Sequence, residues 1–341
     1  MLAAAAALLP AASAGAAAPE GYAWHLPRGF PRPAVPADNP MSAERVALGR
    51  RLFFEPRLSV TAGYSCASCH EPARAFSDAR PRAIGARGDP LPHNALALVN
   101  VAYNISFGWS TRGVRTLEAQ MRQPLLNEHP VELGLRGRER AVCAMLAADP
   151  AYAAAFAAAF AGEPGPEVSF DHLVKAIAAF ERTLLSGDSP FDRYVFGGEH
   201  QALDPEAKRG MALFFSARVG CAGCHSGINF AGNWRDARGA TGDASFAHNG
   251  TGARAMRVPT LRNIALTAPY MHDGRFATLD QVLAHYSGLG ERAARGLVLD
   301  RRLPHAPLSA AERAELAAFL ESLTDESFTG RFAVAAAHGP Q

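Results

Sequence analysis

The sequence predicts a mainly α-helical chain folded as two tandem domains with long loops. Three observations carry that prediction. The segment Leu48-Gly-Arg-Arg-Leu-Phe-Phe54 recurs as Arg209-Gly-Met-Ala-Leu-Phe-Phe215, and each copy precedes a Cys-x-x-Cys-His run. Copies so far apart point to a duplicated domain rather than a solenoid array. Apolar residues recur with helical period, strand-like alternation is scarce, and 341 residues with 48% hydrophobic content can fill two cores.

In chain order, Met1-Leu-Ala-Ala-Ala-Ala-Ala-Leu-Leu-Pro-Ala-Ala-Ser-Ala14 reads as an apolar secretory leader, with small residues suited to cleavage after Ala14 or Ala18. Residues 1–18 are therefore assigned to a signal peptide and 19–40, rich in proline, to an extended lead-in. A first helix is expected after Ser42 as N-cap, with Val46, Leu48, Leu52 and Phe53 as its apolar stripe. Helical patterns follow at 137–162, interrupted near Asp149-Pro150, and at 170–185, with Leu173, Val174, Ile177 and Phe180 inward. Asp204-Pro205 opens the second unit as N-cap and N1, and Ser309 with Glu312 forms a capping box for the last long helix. The domains are drawn at 41–190 and 191–330, with a tail at 331–341. No other apolar run reaches about 18 residues, so no membrane span is expected. The net charge of +2 argues against nucleic-acid binding by bulk electrostatics.

The two pentapeptides are Cys66-Ala-Ser-Cys69-His70 and Cys221-Ala-Gly-Cys224-His225. In a c-type haem site two such thiols become thioethers and the adjacent imidazole binds iron. A zinc site would want further ligands at short spacing, and a thioredoxin-type dithiol carries no trailing histidine. Each unit thus reads as a cytochrome c-like domain holding one covalently bound haem c, two in all. Attachment of that kind takes place outside the bacterial cytoplasm, so a periplasmic location is expected. The remaining cysteine, Cys143, lies in an apolar helical stretch and reads as an inert thiol.

Longer motifs resemble one family. Leu48–Phe54, Ser65–His70, Phe76-Ser-Asp78, His93-Asn94, Leu98-Val-Asn100-Val-Ala-Tyr-Asn104, Leu117-Glu-Ala-Gln120, Val258-Pro-Thr-Leu-Arg-Asn263 and Leu266-Thr-Ala-Pro-Tyr-Met-His272-Asp-Gly274 are similar to segments of the bacterial dihaem cytochrome c peroxidase/MauG family. The resemblance runs from about residue 40 to 325. It implies a peroxidatic haem in the first domain and an electron-transfer haem in the second.

What the resemblance implies for the iron's far side departs from the peroxidase branch twice. That branch places a distal His sixteen positions after the first proximal His; here that position is Ala86, which has no lone pair for iron, so the first haem is expected to be open. His93 is the nearest alternative ligand, against a packing role in its loop. For the second haem the branch supplies Met fourteen positions after the His of His-Asp-Gly; counting from His272 gives Tyr286, as in MauG proteins. A phenolate ligand lowers the potential relative to Met. The alternatives are a packed Tyr286 with His285 or Met256 ligating instead.

The resemblance further implies that Glu132 and Gln120 handle protons over the open iron, with Glu128 as the rival carboxylate. It places Trp109 as an electron relay between the haems, against an ordinary packing role. It also implies a Ca²⁺ held by the Asn94 side chain and the backbone carbonyls of Thr267 and Pro269. His272 is expected in a structural or propionate-side hydrogen bond, and His248 and His305 are expected to be solvated.

The expected activity is reduction of hydrogen peroxide with electrons from a small donor protein, a cytochrome c or cupredoxin. Two alternatives stand beside it: a MauG-type enzyme oxidising tryptophans of a protein substrate during quinone-cofactor maturation, and a non-enzymatic dihaem electron carrier.

Overall fold

The computed structural model describes residues 22–165, 167–232, 234–236, 238–241, 246–249, 255–296, 299–303 and 306–337. The expected leader and His305 lie outside them. The chain is mainly helical with little sheet. Its helices are α1 Ala43–Phe53, α2 Leu117–Leu126, α3 Glu139–Ala147, α4 Pro150–Ala159, α5 Phe170–Glu181, α6 Pro190–Val195, α7 Pro205–Phe215, α8 Leu279–Ser287, α9 Leu289–Ala294, α10 Ala310–Glu321 and α11 Glu326–Ala337. Among the described residues the strands form two short antiparallel ribbons, β1 (Trp234–Asp236) with β2 (Gly239–Thr241) and β3 (Phe246–Ala247) with β4 (Met256–Arg257).

The helix starts follow local chemistry. Ser42, Asp204 and Ser309 accept hydrogen bonds from the amides of Arg45, Ala207 and Glu312, and Glu312 returns a bond to Ser309. The 137–162 pattern is two helices, because Pro150 cannot continue α3 and Asp149 caps α4. α3 and α4 bend by 102°, and among the described residues no single helix is long and apolar enough to cross a membrane. The lead-in from 22 to 40 carries no helix and packs Phe30 against Tyr103 and Leu185, with the Tyr103 hydroxyl donating to the Pro31 carbonyl at 2.7 Å.

Two hydrophobic cores repeat one design. In the first, α1 crosses α5 at Gly49, where any Cβ would collide with the Ala176 carbonyl; Leu48, Leu52, Phe53, Ile177 and Phe180 fill the contact. In the second, α7 crosses α10 at Gly210, where a Cβ would collide with the Glu315 carbonyl; Phe214, Leu316 and Phe319 fill it. Glycine is needed at both crossings because only it lets the helix backbones approach so closely. The joint between the halves is polar and buried, built from Asn100, Ser186, Asn263 and Asp325.

One boundary differs from the expectation. The sequence pattern ends the second domain at residue 330 and reads 331–341 as a tail, whereas α11 spans that position and returns to the first core. Phe328 is fully buried there, and Phe332 meets Phe76 at 5.3 Å. The cause is an aromatic pair one helical turn apart, which has its apolar partners in the first half and not in the second.

Candidate functional site

Each Cys-x-x-Cys-His run forms a short 3₁₀ turn, Cys66–Ser68 and Cys221–Gly223, followed by the histidine. The His70 amide donates to the Cys66 carbonyl at 3.0 Å and the His225 amide to the Cys221 carbonyl at 2.8 Å. Phe76 and Phe230 then take left-handed conformations that turn their carbonyls onto the imidazoles, 2.8 Å from His70 Nδ1 and 2.9 Å from His225 Nδ1. With Nδ1 engaged as a donor, Nε2 is the nitrogen left with a lone pair for a metal. Burial keeps both imidazoles below their ordinary pKa, hence neutral. All four thiols are unpaired. Burial pushes each upward, Cys69 and Cys221 to about 11, the opposite of the activated thiol of a redox dithiol.

The first motif opens on a cavity of 420 Å³, lined among others by Cys66, Cys69, His70, Gln120 and Glu132. Gln120, on α2, presents a buried Oε1 with no hydrogen-bond partner. Glu132 accepts a hydrogen bond from Asn127 Nδ2 at 2.8 Å; burial raises its pKa and the Asn127 bond only partly offsets this. Glu128 is exposed and paired with Arg136 at 3.0 Å, outside the cavity lining. The amide of Ala86 donates to the Glu132 carbonyl at 2.7 Å, and Gly85 lies so close to Val131 that no side chain fits there. The segment bearing Ala86 is thereby fastened to the one bearing Glu132, and Ala86 itself does not line the cavity.

The second motif opens on a cavity of 170 Å³, lined among others by Cys221, Cys224, His225, Met256 and Tyr286. His285 and Tyr286 are neighbours on α8, so they leave the helix about 100° apart. Tyr286 lines the cavity, and burial pushes its phenol up to about 12. His285 faces away, with Nε2 at 2.9 Å from the Asn249 carbonyl and Nδ1 at 3.1 Å from Arg292.

Between the cavities stands Trp109, which lines both. Its indole N–H donates to the Asn94 carbonyl at 2.9 Å, and its own carbonyl accepts from the Arg257 amide at 2.7 Å. His93 and His272 complete an aromatic cluster with it, at ring separations of 5.4 to 6.4 Å. Asn94, Thr267 and Pro269 line the first cavity together. Asn94 Nδ2 lies 3.1 Å from the Pro269 carbonyl and its Oδ1 is buried without a partner. Turning that amide over would aim two oxygens at one point, a donor set that suits a hard cation. Among the described residues no cluster of three His, Cys, Asp or Glu offers a metal site.

Two buried charged residues escaped the sequence reading. Glu181 ends α5 one helical turn after Ile177, lines the first cavity and is 3% exposed. Burial pushes its carboxyl up to about 8, with Arg182 opposing and Glu118 adding to the effect. Arg257, on β4, lines both cavities. An acid in register with an apolar stripe was a readable signal for Glu181; for Arg257 the sequence carries none.

The family model described as di-haem cytochrome c peroxidase matches residues 43–201. Methylamine utilization protein MauG of Methylorubrum extorquens is 38% identical over 310 residues, covering 89% of this chain and 84% of that protein. Cytochrome c551 peroxidase of Pseudomonas aeruginosa is 35% identical over 260 residues, 72% of each chain. Among solved structures, a MauG-like protein associated with microbial copper homeostasis superimposes with a TM-score of 0.84 at 35% identity, covering 94% of this chain and 99% of that one. The diheme peroxidase BthA from Burkholderia thailandensis follows with 0.68 at 26%, covering 89% and 93%.

Proposed function

This chain belongs to the di-haem cytochrome c peroxidase family, and from that membership we propose that it is a periplasmic oxidoreductase reducing hydrogen peroxide in its first cavity. Electrons would enter by the second cavity from a small donor protein, a cytochrome c or a cupredoxin. Two tandem cytochrome c-like units would hold the two haems through Cys66, Cys69 and His70 and through Cys221, Cys224 and His225. When bound, the haems supply the iron that meets peroxide at His70 and the iron that stores and passes electrons at His225.

The observation that carries the reading is the first cavity's wall: a raised-pKa carboxyl, Glu132, and Gln120, whose amide oxygen is buried without a partner, line the space that His70 also lines. Glu132 takes a proton from one peroxide oxygen and returns it to the other, so that H₂O₂, two electrons and two protons end as two waters. Gln120 orients the substrate by hydrogen bonding. Trp109 offers an aromatic path common to both cavities, and Asn94, Thr267 and Pro269 would hold a Ca²⁺ through oxygen donors.

A MauG-type role, oxidation of tryptophans in a partner protein, is favoured by one specific feature: the phenol of Tyr286 on the wall of the second cavity. A phenolate on the second iron would make its higher oxidation states more accessible. Electron paramagnetic resonance of the oxidised holoprotein tests the shared premise. One high-spin and one low-spin signal are expected, both lost on adding one equivalent of peroxide. Two low-spin signals indifferent to peroxide would overturn it and leave an electron carrier. Turnover of peroxide with a reduced small cytochrome, against peroxide-driven tryptophan oxidation, separates the two enzymatic roles.

A further inference from the structure

Among the described residues Arg257 is a buried cation without an anion. It is 5% exposed, and among the described residues its side-chain hydrogen bonds leave from Nη1 to Ser106, to the backbone carbonyl and to Oγ, the latter at 2.9 Å. Among the described residues no Asp or Glu lies within ion-pair reach of it. Burial pushes its guanidinium down to about 10, with no acid offsetting the effect. Arg262, five residues later and more deeply buried, shows the contrast: it holds Asp192 with two bonds, at 2.8 and 2.9 Å.

Leaving a charge unpaired in such a place is costly, and a fold keeps one where something else neutralises it. The space beside Arg257 is the two cavities, since it lines both, and with it Pro259, Ile264, Tyr270 and Met271 do the same. The groups that fill those cavities carry carboxylate side chains of their own. We propose that Arg257 is a shared anion-binding residue, its guanidinium receiving haem carboxylates from both cavities while its amide holds the Trp109 carbonyl between them. A planar guanidinium suits that task better than an ammonium, because it offers several donors in one plane. This inference rests on the two-haem reading and not on the peroxide reaction.

The experiment is a spectroelectrochemical titration of the holoprotein in wild-type, Arg257→Lys and Arg257→Gln forms, with peroxide turnover left out. Removing a cation beside both haems stabilises both ferric states. Arg257→Gln is expected to shift each reduction equilibrium about tenfold toward the oxidised form, about 59 mV for a one-electron couple, and Arg257→Lys to recover most of it. Unmoved potentials in Arg257→Gln with both haems attached, or equal shifts in the two variants, would overturn the proposal. A second measurement needs no variant: redox-difference infrared spectra of wild-type protein carrying haem labelled at its carboxyl carbons. Label-sensitive bands of ionised carboxylates are expected; bands of un-ionised acids alone would overturn it.

Discussion

Asn100 and Asn263 sit in identical left-handed turns, φ 57° and ψ 24°, and their side chains converge on Ser186. Asn100 Nδ2 donates to the Ser186 carbonyl at 2.8 Å and Asn263 Nδ2 to its hydroxyl at 2.9 Å, while the Ser186 amide returns a bond to Asn100 Oδ1 at 2.9 Å. Asp325 closes the circuit, accepting from the Ser186 hydroxyl at 3.0 Å and donating its amide to Asn263 Oδ1 at 2.8 Å. Two asparagines of the same backbone conformation thus meet at one serine between the two hydrophobic cores.

Breaking that joint measures its worth. Asn263→Gly keeps the left-handed backbone available and removes only the side-chain bonds, leaving buried partners unsatisfied. A loss of about 1–3 kcal/mol is expected, read as a lower urea midpoint of the holoprotein; an unchanged midpoint would show that the joint is energetically idle.

The Glu181 carboxyl sets a pH dependence whose sign follows from linkage. Its folded pKa of about 8 stands above the ordinary 4.5. Between those values the folded chain keeps a proton that the unfolded chain has lost, so stability falls as pH rises through the window and levels off above it. The full span is on the order of 5 kcal/mol. Glu181→Gln should flatten the fall, checked by urea midpoints at about pH 5 and about pH 8; parallel slopes in both proteins would refute the assignment.

Glu132→Gln keeps the Asn127 contact nearly isosteric and removes the carboxyl proposed to carry the proton. Peroxide turnover should drop by about 10²–10⁴ in kcat/KM while the optical spectrum of the resting protein stays as it was. Glu128→Gln, at the exposed Arg136 pair, should leave turnover within about twofold. Equal losses in the two variants would reject Glu132 as the acid–base group.

Tyr286→Phe removes the phenol oxygen from the second cavity with little change of volume. The low-spin signal should change and the potential of the second haem rise, with both haems still attached. Unaltered spectra and potential would point instead to Met256, which lines the same cavity.

What could be read from the sequence was local. Ser42, Asp204, Ser309 and the two Cys-x-x-Cys-His runs act within a few residues of themselves, so their helix caps and turns were legible without the fold. The carboxylate choice was harder: Glu128 and Glu132 lie four residues apart in one loop, and only tertiary placement shows one paired with Arg136 and the other on the cavity wall. His285 and Tyr286 posed the same problem: the angle at which each leaves α8 puts Tyr286 on the cavity wall and turns His285 to the Asn249 carbonyl. The destination of α11 and the burial of Arg257 depend on segments far away along the chain, where periodicity has nothing to say.

That destination has an outcome for assembly. Phe332 covers Phe76, and the Phe76 carbonyl steadies His70. The imidazole of the first Cys-x-x-Cys-His run is thus buttressed by α11, a helix more than 250 residues further along the chain. Trimming the far end should loosen the leading iron site and spare the trailing one.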